Sequence, residues 1–221
     1  MKSLVISAAA LALVATPSLA ADVLYTVPVV PTVAIDTSVH DWTGPYLGLS
    51  IGGQRVAVGS PSLLPDGGTG VVGGAYAGYN WQRDHFVFGL EGGLGYSAFS
   101  ATQPCANAAW DCTVSLDWHG SLVGRVGVAA DAVLFYLAGG VAGAHLGGET
   151  VNAAGDVFAD SETRYGYTVG GGIEVALTDN MTGRIDYRYA DYGVGDFDFD
   201  VAYPDVSFTS HAITLGISFA F

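Results

Sequence analysis

The sequence predicts an all-β chain: an eight-stranded antiparallel up-and-down transmembrane β-barrel, preceded by a cleaved signal peptide. Three observations lead there. Eight segments alternate bulky apolar with small or polar residues at period two, as strands facing two environments do. The links between them alternate strictly between hairpin-length turns and long connections. The chain is 50% hydrophobic and 13% charged, with a mean hydropathy of +0.40, yet it offers no convincing helical span.

Residues 1–20 contain Lys2, an apolar core over 4–15 and Ser18-Leu19-Ala20, which together read as a signal peptide cleaved after Ala20. The stretch 126–146 resembles a spanning helix, but Asp131 interrupts it. The apolar run that follows is shorter than the ~20 residues a span requires. Glycine is abundant, 32 of 221 residues, beside 12 Tyr, 10 Phe and 4 Trp, a composition that weakens helices and suits strands at membrane interfaces. Lys2 is the single lysine, so the mature chain sets six arginines against 21 acidic residues. Such a balance excludes nucleic acid as a partner drawn by long-range charge.

Residues 21–40, with Pro28 and Pro31, read as an extended lead-in on the inner side, followed by a barrel domain over 41–221. In the first strand Leu47, Leu49 and Ile51 face one way and Tyr46, Gly48 and Ser50 the other, with Trp42 an expected interfacial anchor. The outward sets then run Ala75, Ala77, Tyr79 and Trp81 in strand two, and Phe86, Phe88, Leu90, Leu94 and Tyr96 in strand three. Strand four presents Leu116, Trp118, Leu122, Val126 and Val128 outward, with Asp117, His119, Ser121 and Arg125 opposite. Strand five is less regular, with Phe135, Leu137 and Val141 outward. Strand six puts out Tyr165, Tyr167, Val169, Ile173 and Val175, and strand seven Ile185, Tyr187 and Tyr189. Over 207–221, His211, Ile213, Leu215, Ile217, Phe219 and Phe221 form the last outward face.

Links 83–85, 130–132 and 178–180 are turns, whereas 54–70, 98–113, 145–163 and 191–206 read as long polar or glycine-rich connections. Both termini then lie on the short-turn side. In the last connection Asp196, Asp198 and Asp200 interleave with Phe197 and Phe199 at period two, so that hairpin is expected to continue as strand beyond the membrane. Hydrocarbon offers no partner for exposed backbone groups, so strand eight must pair with strand one.

The inward faces collect Glu91, Arg125, Glu174, Arg184, Asp186 and Arg188. Eight strands enclose space only for side chains, so these charges are expected to pair as a plug. Arg125 faces Glu91, and Glu174 faces Arg184 and Arg188. A proton or ion path is the other use of such a set. Trp81, Trp118, Tyr187 and Tyr189 join Trp42 as expected interfacial aromatics. His119 shares a predicted face with Asp117 and Ser121, but residues two apart on a strand point in parallel and do not converge as a catalytic triad must. No enzyme activity, metal site or cofactor is expected. Cys105 and Cys112, close together in an exported chain, suggest a disulfide closing a small loop.

Several motifs resemble a known family. Asp41-Trp42-Thr43-Gly44-Pro45-Tyr46-Leu47-Gly48 is similar to its opening, and Gly78-Tyr79-Asn80-Trp81-Gln82, Phe88-Gly89-Leu90-Glu91-Gly92 and Gly124-Arg125-Val126-Gly127 to its next strands. Tyr187-Arg188-Tyr189-Ala190-Asp191-Tyr192-Gly193 and the terminal Phe221 resemble its end. The family is the porin-like outer-membrane immunogenic proteins of Gram-negative bacteria, with an OmpA-type barrel. Pro45 departs from its pattern, and the Cys105–Cys112 loop is not carried over from it.

The resemblance implies localisation to the cell outer membrane and a role in envelope integrity and surface recognition. The partners it implies are outer-membrane lipid and lipopolysaccharide, a host or cell-surface ligand at the outer loops, and the assembly machinery, which would read Phe221 as its signal. A small-solute porin or channel is the alternative function. A lipid-modifying barrel enzyme is a second, and would need converging Ser and His groups near an outer rim.

Overall fold

The computed structural model describes residues 40–59, 67–105, 109–152, 154–198 and 202–221. The expected signal peptide, nearly all of the lead-in, and Phe199 and Asp200 lie outside the described residues. The strands are β1 (Gly44–Gly59), β2 (Gly67–Arg83), β3 (Phe86–Pro104), β4 (Trp110–Ala130), β5 (Val133–Asn152), β6 (Val157–Ala176), β7 (Met181–Asp198) and β8 (Ala202–Ala220). They follow one another around a closed antiparallel barrel. β1 pairs with β8 from Tyr46↔Ala220 to Gly59↔Ser207, which leaves no free sheet edge.

Asp84-His85 and Asp131-Ala132 close the two tightest hairpins. Asp84 and Asp131 take φ of 55° and 51°, a left-handed conformation that aspartate tolerates through its short polar side chain. Above these turns the outward residues form a belt of Leu47, Leu49, Ile51, Leu90, Leu94, Leu122, Leu137, Val141 and Leu215, all exposed. Aromatic side chains bound it, with Trp81, Phe86, Phe88 and Phe135 below and Tyr96, Trp118, Tyr165 and Tyr167 above. From Trp118 to Val128 the tilted strand rises about 25 Å, the height of an apolar band matched to the hydrocarbon layer.

The strands run well past that band, which corrects the predicted long connections. Among the described residues of 54–70, 98–113, 145–163 and 191–206, most are strand, not loop. The expected extension of the last hairpin is found, and the other three outer hairpins share it.

In the extensions the binary pattern inverts. Cys112, Val114 and Leu116 turn inward and are buried, while Asp111, Thr113, Ser115 and Asp117 face out. The switch is a β-bulge: β4 pairs Leu116 with Leu146 and then His119 with Ala144, so two residues of β4 oppose one of β5. One extra residue moves every later side chain to the other face. The prediction that Leu116 faces out is therefore overturned; it is 1% exposed. Asp117 likewise does not share the face of His119 and Ser121. Inside lipid an outward Leu is favourable, but beyond it the apolar face must find a core, and the bulge is the device that re-aims it.

Candidate functional site

The interior has two storeys. In the lower one, glycines opposite aromatics make room for the rings. A Cβ at Gly48 would collide with the Tyr76 ring, and one at Gly78 with the Tyr46 hydroxyl. Tyr46 and Tyr76 then lie edge to face, 6.3 Å between centroids.

Above these rings the charged residues converge. Arg184 Nη1 donates to Glu91 Oε2 at 2.7 Å and Arg125 Nη1 to the same oxygen at 3.2 Å. The Tyr46 hydroxyl donates to Glu91 Oε2 at 2.9 Å and accepts from Arg125 at 2.7 Å. Arg125 Nη2 reaches Glu174 Oε1 at 2.9 Å, and Arg184 Nη1 lies 3.4 Å from it. Tyr136 donates to Asp186 at 2.6 Å, and Arg188 donates twice to Asp186 at 3.2 Å. Arg184 stacks over Tyr76 at 3.5 Å and Arg125 over Tyr136 at 4.0 Å, cation–π contacts in a desolvated setting.

The six residues singled out in the sequence are thus one network, with three carboxylates set against three guanidinium groups. Two contacts differ from the predicted pairings. Arg188 pairs with Asp186 and approaches Glu91 at 3.8 Å, but forms no bond to Glu174. Glu174 instead bridges Arg125, a residue two strands away. Tyr46, Tyr76 and Tyr136 join this network without belonging to the set of charges the sequence predicts. Their signal is inward parity, visible for Tyr46 and Tyr76 and obscured for Tyr136 by the irregular pattern of β5.

The upper storey is apolar. Val56, Phe99, Val114, Leu116, Leu146, Val206 and Phe208 are almost wholly buried and form one cluster. Arg164 spans it, its guanidinium over the Phe208 ring at 5.6 Å and bonded to the Val206 carbonyl and to Glu162. A cavity of about 120 Å³ lies between the storeys, lined by Gln54, His119, Ser121, Thr168 and Arg188 among others.

Cys105 and Cys112 form a disulfide across the β3–β4 hairpin, both buried against the upper cluster. Closing so short a loop stabilises by about 2–3 kcal/mol on chain entropy. Cys105→Ser/Cys112→Ser is expected to lose about that much in urea unfolding, and an unchanged midpoint would contradict it.

Trp81 and Trp118 lie outward on the band, and Tyr187 and Tyr189 at its upper edge. Trp42 does not join them, contrary to prediction. It shares the parity of Tyr46 and is buried with Val87, Leu134 and Tyr136 at the inner mouth, its ring 4.9 Å from His40. Beside it Asp41 sits below the usual carboxylate range, because its carboxylate accepts the Thr43 backbone N–H at 2.9 Å. Phe221 is exposed on the lower rim, its N–H bonded to the Pro45 carbonyl at 3.1 Å. Among the described residues no cluster of His, Cys, Asp and Glu is placed to hold a metal ion.

Comparison with known proteins gives consistent matches. The profile of the outer membrane protein β-barrel domain matches residues 6–221. The 25 kDa outer-membrane immunogenic protein of Brucella abortus is 35% identical over 224 residues, covering 100% of this chain and 99% of that protein. A 22 kDa outer membrane protein of Rhizobium leguminosarum is 36% identical, covering 69% of this chain and 67% of its own length. Among solved structures, neisserial surface protein A aligns over 81% of this chain and 98% of its own, with a TM-score of 0.49 at 14% identity.

Proposed function

The chain belongs to the outer membrane protein β-barrel family, and we propose that within it this protein is a plugged, structural barrel rather than a solute channel. It acts through its lipid-facing wall, which ties it into the envelope, and through its outer end, which presents a recognition surface. The observation that carries this reading is the double filling of the lumen. An ionic network occupies the lower storey and an apolar core the upper, so a solute path would have to break both.

The Brucella relatives are named immunogenic. By that likeness the outer hairpins are the surface offered to a host or neighbouring cell, and loops on a rigid scaffold suit that role. The partners that go with the reading are outer-leaflet lipid along the wall and the machinery that inserts the barrel. A lipid-modifying activity finds no support in the placement of His119 and Ser121. They line the interior cavity, away from the rim where a lipid substrate would lie.

A deletion strain tests the structural role. Increased detergent sensitivity and vesicle release, both restored by the gene in trans, are expected. A deletion strain with a wild-type envelope would remove the role.

A further inference from the structure

On one side of the barrel the outward aliphatic rows of neighbouring strands give way to polar residues. Ile51 on β1, Val71 on β2, Ile185 on β7 and Ile213 on β8 are exposed aliphatic residues at that level, and Val194 is exposed further out on β7. The next polar outward residues are Arg55, Thr69, Tyr187 and His211, and beyond them come Thr209 and Ser207. The register pairs Arg55 with both His211 and Thr69, so the four form one group across β7, β8, β1 and β2. They line a shallow concavity of about 780 Å³ with Gly53 and Gly70 in its floor, and a Cβ at Gly53 would meet nothing within 4 Å.

The group is built as a set of donors. The Tyr187 hydroxyl lies 2.8 Å from His211 Nδ1, and the Tyr189 ring packs 5.0 Å from the imidazole. With Tyr187 donating to Nδ1, the imidazole keeps its proton on Nε2 as a free donor on an exposed residue. Arg55 is exposed and forms no ion pair among the described residues. The neighbouring Asp191 is engaged by the Gly193 N–H and the Tyr189 hydroxyl.

Arginine placement elsewhere in the chain makes this one informative. Arg125, Arg164, Arg184 and Arg188 are interior, and Arg83 is outward at the opposite, lower rim. In a chain of net charge −14, Arg55 is therefore a lone outward cation where the apolar band meets the outer-leaflet headgroups.

We propose that Arg55, His211, Tyr187 and Thr69 form a binding site for the phosphate group of an outer-leaflet lipid. Guanidinium binds phosphate oxygens in a bidentate, charge-assisted manner, with the imidazole Nε2–H and the Thr69 hydroxyl as further donors and Tyr187 holding the imidazole in that tautomer. The lipid's acyl chains would run down over Ile51 and Ile213. The inference stands apart from the structural role, since a lipid site could exist in a barrel that also conducts.

The test is native mass spectrometry of the folded full-length barrel in detergent. It is given bisphosphorylated lipid A, the same lipid A after phosphatase treatment, or inorganic phosphate as competitor. Wild type is expected to retain the phosphorylated lipid. Arg55→Gln should lose about tenfold of that retention, the value of one charge-assisted hydrogen bond, and Arg83→Gln should lose none. His211→Gln, which keeps the guanidinium, should show a smaller loss and carries the test if Arg55→Gln does not fold. Heat-modifiable gel migration establishes folding for each variant. Equal retention by Arg55→Gln and wild type overturns the site. So does equal retention of the dephosphorylated lipid, which would mean binding by acyl chains alone. Displacement of the lipid by millimolar inorganic phosphate would make it a soluble-anion site and overturn the lipid assignment.

Discussion

Glu91→Gln is expected to cost about 3–5 kcal/mol of barrel stability, read as a lower urea midpoint for loss of heat-modifiable migration. Glu91 accepts hydrogen bonds from Arg184, Arg125 and Tyr46, and Arg188 stands 3.8 Å away. Its side chain is 5% exposed, so water does not replace what is lost. Glutamine fills the same volume but leaves the three guanidinium groups with only Glu174 and Asp186 as counter-charges. The uncompensated buried charge dominates the cost, not the lost bond, because the desolvation of the arginines has already occurred. A variant that unfolds with the wild-type midpoint would mean that water reaches the lower storey.

The second large effect separates two leucines of one strand that look equivalent in sequence. Leu116→Ala should cost about 2–5 kcal/mol, because it opens a cavity in the closely packed upper storey. Leu122→Ala should cost under about 1 kcal/mol, since Leu122 is 59% exposed on the wall and lipid refills the space. The same midpoint assay measures both. Equal losses would place both residues in the same environment and remove the bulge between them.

That pair also marks where the sequence stops being legible. The eight strands, their outward rows and the closure of β8 on β1 follow from period-two alternation, which registers directly which side chains share a face. A bulge adds one residue and leaves no trace in composition. Leu116 and Trp118 continue an apolar alternation, so the row appears unbroken. The corrective signal was present in Asp111, Thr113, Ser115 and Asp117, which is a polar row that only an exterior beyond the lipid accommodates.

The same reasoning explains the connections. Segments such as 98–113 are polar and small on one face, which resembles a loop when membrane strands set the expectation. Their described parts, such as 98–104 and 110–113, are ordinary strand with a soluble-protein pattern. Trp42 shows the opposite case, since its parity with Tyr46 was readable and the general preference of tryptophan for interfaces is what misplaces it. In the ionic network, Arg125 with Glu91 could be read from neighbouring strands. Arg125 with Glu174 could not, because contacts across a lumen depend on barrel stagger, which no local pattern encodes.

If the lumen is closed at two levels, single-channel recording of the purified wild-type barrel in planar bilayers should show no steady conductance. Steady, large-conductance openings from correctly folded wild-type protein would contradict it.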